Sequence, residues 1–402
     1  MAGSVCFARK IIDLPKDAGD DIPANFSATQ EIMEDANMRI VCYISSLSGG
    51  GAERVLSVLA NNLSQRGHKV WMVTDYTSPS EYPLADSVER MVFDGEFDPA
   101  RAGQKIRSLR RIFRLRRFCR EKKAEIIISF MKYNNFRALA ATFLTKTKSL
   151  ISVRIDPKIG YRTKSSALVA KLLYPTAKGC VFQTDEAQAW FPEKIQRHSR
   201  VIFNPVSDTF FAVEPNPMAE KRIVTCGRLD EQKRFDLLIN AFDKVCDDFP
   251  EYKLEIYGVG HLQETLQAQI DSLGRQDRIV MMGRSKDVPN AIKTASLFVL
   301  ASDYEGLPNA LMEAMVLGLP VVSTDCSGGG ARALIENGTD GLMIPCGDVD
   351  ALADAIRLNL ADPEAAKLRG QKASEKAKGF STGQIVTLWE QYIAEIVQGD
   401  KK

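Results

Sequence analysis

Short apolar runs alternate with amphipathic segments of helical length, and this alternation restricts the fold more than any other feature of the chain. The first unit joins the apolar runs 38–44 and 69–76 through segment 52–67, whose apolar positions keep helical spacing. Further runs of strand length occupy 125–130, 149–155 and 179–184. Strands that alternate with helices of about 10–15 residues predict an α/β fold, with parallel sheets covered by helices on both faces.

The alternation resumes in the second half of the chain. Strands are predicted at 222–228, 252–258, 278–283, 296–302, 320–325 and 341–345, with helices at 235–249, 262–274 and 309–318 and from Asp350 onward. Because 402 residues exceed the size of one ordinary core, the sequence predicts two Rossmann-like domains facing across a cleft.

The domain boundaries follow from where the periodicity fails. Residues 1–37 are acidic and poorly periodic, and we interpret them as a flexible extension. The first domain is predicted at 38–204 and the second at 221–381, joined by a linker at 205–220 that contains prolines without periodicity. A C-terminal helix at about 382–402 is expected to pack back on the first domain.

Composition excludes several classes of protein. With 45% hydrophobic and 26% charged residues the chain is neither disordered nor collagen-like, and its net charge of +2 indicates no nucleic-acid partner. The eight cysteines show no C-x-x-C pair, which is typical of reduced core residues. No window reaches the ~18 consecutive apolar residues of a membrane span, and the N-terminus lacks the layout of a secretory signal. We therefore expect a cytoplasmic protein.

The segment SDYEGLPNALMEAMVLG is the most informative in the second domain. Glu305 precedes a helix predicted to begin at Pro308 or Asn309, and Glu313 lies about one turn inside that helix. Free N–H groups at a helix start attract phosphate, so a diphosphate bound there would have a carboxylate on each side for sugar and ribose hydroxyls. The alternative is two surface glutamates, which the preceding strand and the turn disfavour. The donor-binding candidates of this segment are Glu305, Gly306, Leu307, Pro308, Asn309 and Glu313.

A second cluster follows the first strand of the same domain. In TCGRLDEQKRFD, Gly227 precedes Arg228, and Lys233 lies on the same loop. Two cations at the carboxyl end of a strand can neutralise a departing diphosphate without a metal ion. The alternative is a solvated basic loop. Arg228, Lys233 and Glu305 are thus the predicted catalytic residues, with no metal and no cofactor expected.

These motifs, together with GGGAERV after the first strand, resemble the family-4 retaining glycosyltransferases of the GT-B fold, from about Met38 to the C-terminus. The resemblance implies that Glu305 and Glu313 contact the donor sugar and ribose, and that Arg228 and Lys233 hold the diphosphate. It also implies that Gly49, Gly50 and Gly51 approach the diphosphate and the acceptor. The expected reaction moves a hexose or N-acetylhexosamine from a nucleotide diphosphate sugar, most commonly UDP-linked, with its anomeric configuration kept.

The first domain departs from the family pattern in one respect. Many members place a histidine near the donor sugar, but His68, His198 and His261 do not match that loop. The strand end SVRIDP offers Arg154 and Asp156, which are acceptor-site candidates or a structural ion pair.

Residues 105–123 contain ten Lys/Arg and one Glu. On a helical wheel Arg107, Arg110, Arg111, Arg114 and Arg117 gather on one side, and Ile106, Leu109, Ile112 and Phe113 gather on the other. A basic amphipathic helix is typical of contact with an anionic membrane surface, although a solvated helix is the alternative. Some resembled relatives act on polyprenyl-diphosphate-linked glycans. We therefore expect such an acceptor and peripheral association with the inner face of the cytoplasmic membrane.

Two other patterns point to different functions. Asp348 and Asp350 form a D-x-D, better explained as caps of the following helix. Gly258 and Gly260 resemble a dinucleotide fingerprint, but Gln263 replaces its third glycine. An NAD-dependent oxidoreductase and a non-catalytic nucleotide-sugar-binding or scaffold protein remain as alternatives.

Overall fold

The computed structural model describes residues 37–96, 105–214 and 219–399. The predicted extension at 1–37 lies outside these ranges except for its last residue. From Arg39 onward the chain forms one compact unit that contains two separate sheets.

The first sheet has seven parallel strands in the order β3-β2-β1-β4-β5-β6-β7. The strand order reverses between β1 and β4, which pair directly, with Val41 opposite Ile127. Every residue of β4 is buried, as expected for parallel strands covered on both faces. The strands are β1 Arg39–Ile44, β2 Lys69–Thr74, β3 Glu89–Val92, β4 Ile126–Phe130, β5 Lys148–Ser152, β6 Gly179–Phe182 and β7 Ser199–Val201.

The second sheet has six parallel strands in the order β10-β9-β8-β11-β12-β13. Its order reverses between β8 and β11, where Val224 lies opposite Phe298. The α/β fold with two parallel sheets is thus confirmed. The strands are β8 Glu220–Cys226, β9 Lys253–Tyr257, β10 Ile279–Gly283, β11 Ala295–Leu300, β12 Val321–Thr324 and β13 Leu342–Ile344.

Helices connect the strands in both halves. The first half contains α1 Gly51–Gln65, α2 Lys105–Glu121, α3 Lys132–Thr142, α4 Pro157–Gly160, α5 Lys164–Leu173, α6 Asp185–Ala189 and α7 Glu193–Gln196. The second half contains α8 Asp208–Phe211, α9 Phe235–Asp243, α10 Gln263–Ser272, α11 Val288–Ile292, α12 Asn309–Val316, α13 Gly330–Leu334, α14 Val349–Ala361, α15 Pro363–Ala377 and α16 Thr382–Gln398. Asp348 caps α14, since its Oδ1 accepts from the amide of Ala351 at 2.9 Å.

The last helix, α16, packs against the first sheet. The Trp389 ring lies 5.6 Å from that of Phe130, and Glu390 accepts hydrogen bonds from Arg66 at 2.5 Å and pairs with His68 at 2.8 Å. Burial raises the pKa of Glu390, but the hydrogen bonds from these two partners outweigh burial and lower it below its usual value.

Two chain segments cross between the sheets, and they run side by side. The Val206 amide donates to the carbonyl of Phe380 at 2.8 Å, and the Thr382 hydroxyl donates to the carbonyl of Val206 at 3.1 Å. The crossings that connect the two domains are therefore hydrogen-bonded to each other.

Three sequence predictions need correction. The short strands β3 and β7 were not predicted, because their residues are largely polar or partly exposed. The helix predicted at 235–249 ends at Asp243 and continues as turns toward Pro250. Cys346 is exposed, in contrast to the expected core position of all cysteines. Cys6 lies outside the described residues.

The apolar residues that the helical wheel of α2 groups together do not cover the core. Ile106, Leu109 and Phe113 are 76%, 56% and 64% exposed, and we call these three residues the apolar ridge. Leu115 and Phe118 supply the buried face instead.

Arg111, which the wheel groups with the other arginines, determines which face of α2 is buried. Its side chain is buried and forms ion pairs with Asp75 at 3.1 Å and Asp94 at 2.6 Å. A buried cation is tolerated where it is paired, so these two aspartates turn the face with Arg111 inward.

Candidate active site

The carboxyl ends of β8 and β11 carry the residues predicted to bind a donor. β8 ends at Cys226, before Arg228 and the 3₁₀ turn Glu231–Lys233, and β11 ends at Leu300, shortly before Glu305. Ligands in such sheets bind beyond strand ends where the strand order reverses. The loops after β8 and β11 therefore define a crevice that faces the first domain.

Lys233 and Glu305 form an ion pair in this crevice. Nζ of Lys233 lies 2.5 Å from Oε1 of Glu305, and the side chains are 17% and 9% exposed. Ser302 Oγ donates to the same carboxylate oxygen at 2.9 Å. Because both donors hold one oxygen, the second oxygen of Glu305 keeps its capacity to accept a hydrogen bond from a ligand.

Arg228 is arranged differently from Lys233. Its Nε donates to Oδ2 of Asp230 at 2.7 Å, and its side chain is 68% exposed. Gly227 lies against Lys233, since a Cβ at Gly227 would come within 3.3 Å of the lysine Cε. The structure thus places Lys233 inside the crevice and Arg228 at its exposed edge.

Helix α12 begins at Asn309, with Pro308 at the N-cap position and no side-chain cap. Asn204, from the end of the first domain, donates to Oδ1 of Asn309 at 2.7 Å and to the carbonyl of the buried Leu307 at 3.4 Å. The start of α12 is therefore fixed against the first domain. Amide groups at an uncapped helix start are suited to bind an anion.

Glycines allow the two domains to approach at this point. A Cβ at Gly306 would lie 2.7 Å from the backbone oxygen of Arg154, and one at Gly51 would lie 2.6 Å from Nδ2 of Asn309. In the same turn Gly49 has a φ of +80°, a conformation that favours glycine. The glycine-rich turn of the first domain therefore contacts the start of α12.

Arg54 pairs with Glu313 across the crevice, although it was not among the residues predicted from the sequence. NH2 of Arg54 lies 2.7 Å from Oε1 of Glu313, and the side chains are 27% and 10% exposed. Burial acts to lower the pKa of Arg54, but the Glu313 carboxylate outweighs burial and raises it. The available signal was a charged residue in the first turn of the helix that follows the glycines at the end of β1.

Glu53, beside Arg54 in the same turn, was also missed. Burial raises the pKa of its carboxyl, and the charges of Arg228 and Arg154 oppose that rise. Its carboxylate lies next to Gly50, where an added Cβ would come too close to Oε2 of Glu53. The first turn of α1 thus supplies both charges to the crevice.

Arg154 and Asp156 lie at the crevice but bind different partners. NH1 of Arg154 donates to Asn204 at 3.0 Å, its guanidinium lies 4.1 Å from the ring centre of Phe130, and burial lowers its pKa to about 9. Within the described ranges, Nε and NH2 of Arg154 have no hydrogen-bond partner. Asp156 accepts from the hydroxyl of Ser327 in the second domain.

The structure therefore brings most of the predicted site residues together. Those around the crevice are Gly50, Gly51, Arg154, Asp156, Gly227, Lys233, Glu305, Gly306, Leu307, Pro308, Asn309 and Glu313, with Arg228 at the edge. The α2 residues form a separate surface. Arg114 interacts with Asp94 at 3.5 Å and Arg117 with Glu121 at 2.6 Å, while Arg107 and Arg110 have no partner in the crevice among the described residues.

Comparison with known proteins follows this division of the chain. A model of the glycosyl transferase 4-like domain matches residues 50–206, and a model of the glycosyl transferases group 1 matches residues 206–376. Among solved structures, sucrose-phosphate synthase from Thermosynechococcus elongatus matches with a TM-score of 0.78 at 18% identity, over 90% of this chain and 100% of that one. HepE from Anabaena in complex with UDP matches with a TM-score of 0.73 at 18% identity, over 89% and 100%.

Two relatives from Campylobacter jejuni match most of the chain. One is an α-1,4-N-acetyl-D-galactosaminyltransferase named for a GalNAc-GalNAc-diNAcBac-PP-undecaprenol, 28% identical over 89% of this chain and 99% of its own length. The other is an N-acetylgalactosamine-N,N'-diacetylbacillosaminyl-diphospho-undecaprenol 4-alpha-N-acetylgalactosaminyltransferase, 26% identical over 85% and 96%.

The fold and the crevice define a two-domain enzyme of the GT-B class. The chain belongs to the family-4 glycosyltransferases, and it acts in glycan assembly. This membership favours a transferase over an oxidoreductase or a non-catalytic binding protein. Among the described helices, none is both long and apolar enough to cross a bilayer.

Proposed function

We propose that the protein transfers a hexose or N-acetylhexosamine, with retention of configuration, from a UDP-linked donor to a polyprenyl-diphosphate-linked glycan. The observation that carries this proposal is the arrangement around the start of α12. Lys233 and Glu305 lie on one side of this helix start. Glu313 lies one turn further along α12 and pairs with Arg54 of the first domain.

Each group has a distinct task in this proposal. The diphosphate binds at the amide groups of α12, and Lys233 and Arg228 balance its charge. Glu313 accepts hydrogen bonds from ribose hydroxyls, and Glu305 accepts them from the donor sugar through its second oxygen. Such charge-assisted hydrogen bonds are about twice as strong as neutral ones. No metal ion or other cofactor is needed, since the two cations and the helix start provide positive charge for the leaving group.

The reaction breaks the bond between the anomeric carbon and the diphosphate oxygen. An acceptor hydroxyl forms the new bond from the same face, and its proton passes to the departing phosphate oxygen. Lys233 and Arg228 stabilise the negative charge that develops on the diphosphate. Arg154 and Asp156 lie on the first-domain side, where they would orient the acceptor.

The lipid-linked acceptor is supported by the two Campylobacter relatives, whose names specify undecaprenyl-diphosphate-linked glycans. It is also supported by α2, which exposes the apolar ridge between arginines. Four arginines lie on one side of the ridge. In order of increasing distance from the ridge around the helix they are Arg117, Arg110, Arg114 and Arg107. Cations near an anionic membrane surface contribute about 1 kcal/mol each. In this proposal α2 docks on the inner face of the cytoplasmic membrane.

The transfer is tested by incubating the protein with separate UDP- and GDP-sugars and a polyprenyl-diphosphate-linked glycan. Mass spectrometry identifies the sugar added, and NMR coupling constants identify the anomeric configuration. Lys233→Met should abolish most transfer, whereas Lys367→Met, on the exposed surface of α15, should not. Inversion of configuration, or equal activity of both variants, would overturn the proposed mechanism.

The membrane association is tested separately by vesicle co-sedimentation. Phe113→Asp and the triple charge reversal of Arg110, Arg114 and Arg117 should each reduce binding to vesicles that contain phosphatidylglycerol. Unchanged binding of both variants would show that α2 is only a solvated helix. Transfer to a water-soluble acceptor analogue should persist in both variants, which separates docking from catalysis.

A further inference from the structure

A strongly basic cavity lies on the other flank of α2, and the proposed reaction does not use it. Its volume is about 860 Å³. One carboxylate and six cations line it. They are Glu125, Arg39, Arg116, Arg120, Lys123, Lys146 and Lys148. The lining therefore carries five more positive than negative charges, whereas the whole chain has a net charge of only +2.

The cavity is distinct from the crevice at the carboxyl ends of the strands. Arg39 and Lys148 are the first residues of β1 and β5, so they mark the amino edge of the first sheet. In a parallel sheet the amino and carboxyl edges lie at opposite ends of the strands. The cavity is thus located away from the glycine-rich turn and from Arg154.

Three of the six cations are held in place by backbone carbonyls. Arg39 donates to Lys123 at 2.7 Å, Arg116 to Phe143 at 2.9 Å, and Lys148 to Ile396 at 2.7 Å. Carbonyl groups orient these side chains, and Arg39 also forms an ion pair with Glu125 at 3.8 Å. The geometry therefore fixes positive charge around the cavity.

The other three cations are exposed. Among the described residues, the side chains of Arg120, Lys123 and Lys146 have no ion pair or hydrogen bond. Cations that line one cavity repel each other, and an anion bound among them would offset this repulsion. Phosphate oxygens are suited to this role because they accept several charge-assisted hydrogen bonds at once.

Apolar side chains border the cavity on its outer side. Phe143 is 56% exposed and Leu144, which also lines the cavity, is 86% exposed. The φ of Leu144 is +56°, a left-handed conformation that is uncommon for leucine and presents its side chain to solvent. At about 100° per residue, Arg116 and Arg120 adjoin Leu109 and Phe113 of the apolar ridge.

We propose that this cavity binds the phosphate headgroup of an anionic phospholipid, with Phe143 and Leu144 entering the acyl boundary beside the apolar ridge. The inference rests on the proposed docking of α2 to a membrane. The apolar border favours a lipid over a free phosphate, because acyl chains can pack against exposed apolar side chains and a free phosphate cannot. α2 then has a nonspecific basic flank and a headgroup-binding flank.

The experiment uses the full chain and a soluble lipid, dihexanoyl phosphatidylglycerol, below its micelle concentration. Calorimetric titration should show binding that the triple variant Arg120→Gln, Lys123→Gln and Lys146→Gln weakens at least about tenfold. A control variant removes three exposed lysines of the second domain and should bind as the unmodified chain does. Its substitutions are Lys253→Gln, Lys286→Gln and Lys367→Gln. Circular dichroism and transfer to a soluble acceptor verify that both variants fold.

Each outcome has one meaning. If dihexanoyl phosphatidylcholine binds as tightly as dihexanoyl phosphatidylglycerol, recognition of an anionic headgroup is overturned. Inorganic phosphate that binds as tightly as the lipid would show a phosphate site without lipid preference, which also overturns the proposal. Equal binding by the triple variant overturns the cavity assignment. Phe113→Asp should retain soluble lipid binding while it loses vesicle binding, so failure of membrane docking is distinguishable from failure of the headgroup site.

Discussion

The ion pair between Arg54 and Glu313 links the two domains, and its contribution to stability can be estimated. Removing one partner of a fully buried pair costs about 3–5 kcal/mol, whereas exposed pairs contribute about 0–1 kcal/mol. Arg54 is 27% exposed and Glu313 is 10% exposed, which lies between these limits. We therefore expect Arg54→Met to destabilise the chain by about 2 kcal/mol, because Glu313 would keep a partly buried charge without its partner.

The assay is a double-mutant cycle in urea, followed by circular dichroism, with Arg54→Met, Glu313→Gln and the double variant. The expected coupling energy is about 1–2 kcal/mol. Arg197 and Glu193 provide a matched control, because their atoms lie 2.9 Å apart but the side chains are 73% and 75% exposed. Their coupling should not exceed about 0.5 kcal/mol.

A coupling for Arg54 and Glu313 no larger than that of the exposed pair would refute the reasoning. The cycle also responds to the proposed donor. If ribose hydroxyls bind Glu313, saturating UDP provides a second partner for its carboxylate, and the coupling should decrease. An unchanged coupling with UDP bound would argue against Glu313 as the ribose ligand.

Three further variants test other parts of the structure. Lys233→Met should lower kcat about 100-fold or more, measured as donor turnover, because one charge opposite the leaving diphosphate is lost. The pKa of Glu390 is lowered below its usual value of 4.5, so its carboxylate stabilises the fold at pH values above 4.5. This stabilisation is lost as the pH falls from 4.5 through the lowered pKa. Thermal unfolding from pH 7 to pH 3 should show this loss, and Glu390→Gln should be less stable at pH 7 and lack that component. Gly306→Ala should destabilise the chain by about 1–3 kcal/mol in urea, since its Cβ would meet the backbone of Arg154, whereas Gly379→Ala, with no atom within 4 Å, should have little effect.

The sequence was sufficient to predict the elements that are buried on both faces. The run 125–130 is almost entirely apolar, and it forms β4 in the middle of the first sheet. β3 and β7 are short edge strands with few apolar residues, so no apolar run marks them in the sequence. The edge strands β10 and β13 were predicted because their residues are mainly apolar.

Features decided by distant partners could not be predicted. Arg111 turns inward because it pairs with Asp75 and Asp94, which follow β2 and β3, and no wheel of α2 alone contains them. The pairing of Arg54 with Glu313 likewise depends on how the two domains meet. By contrast, Lys233 and Glu305 follow adjacent strands, and their proximity follows from the predicted topology.

The return of α16 to the first sheet matters for anyone who divides this protein. A gene fragment that stops near residue 206 encodes all seven strands of the first sheet but omits the helix carrying Trp389, whose ring packs on Phe130. Such a fragment would expose an apolar surface and leave Arg66 and His68 without Glu390, so it should aggregate. Fusing residues 382–399 to that fragment through a short linker should restore solubility, because α16 belongs to the first domain in space although it follows the second domain in sequence.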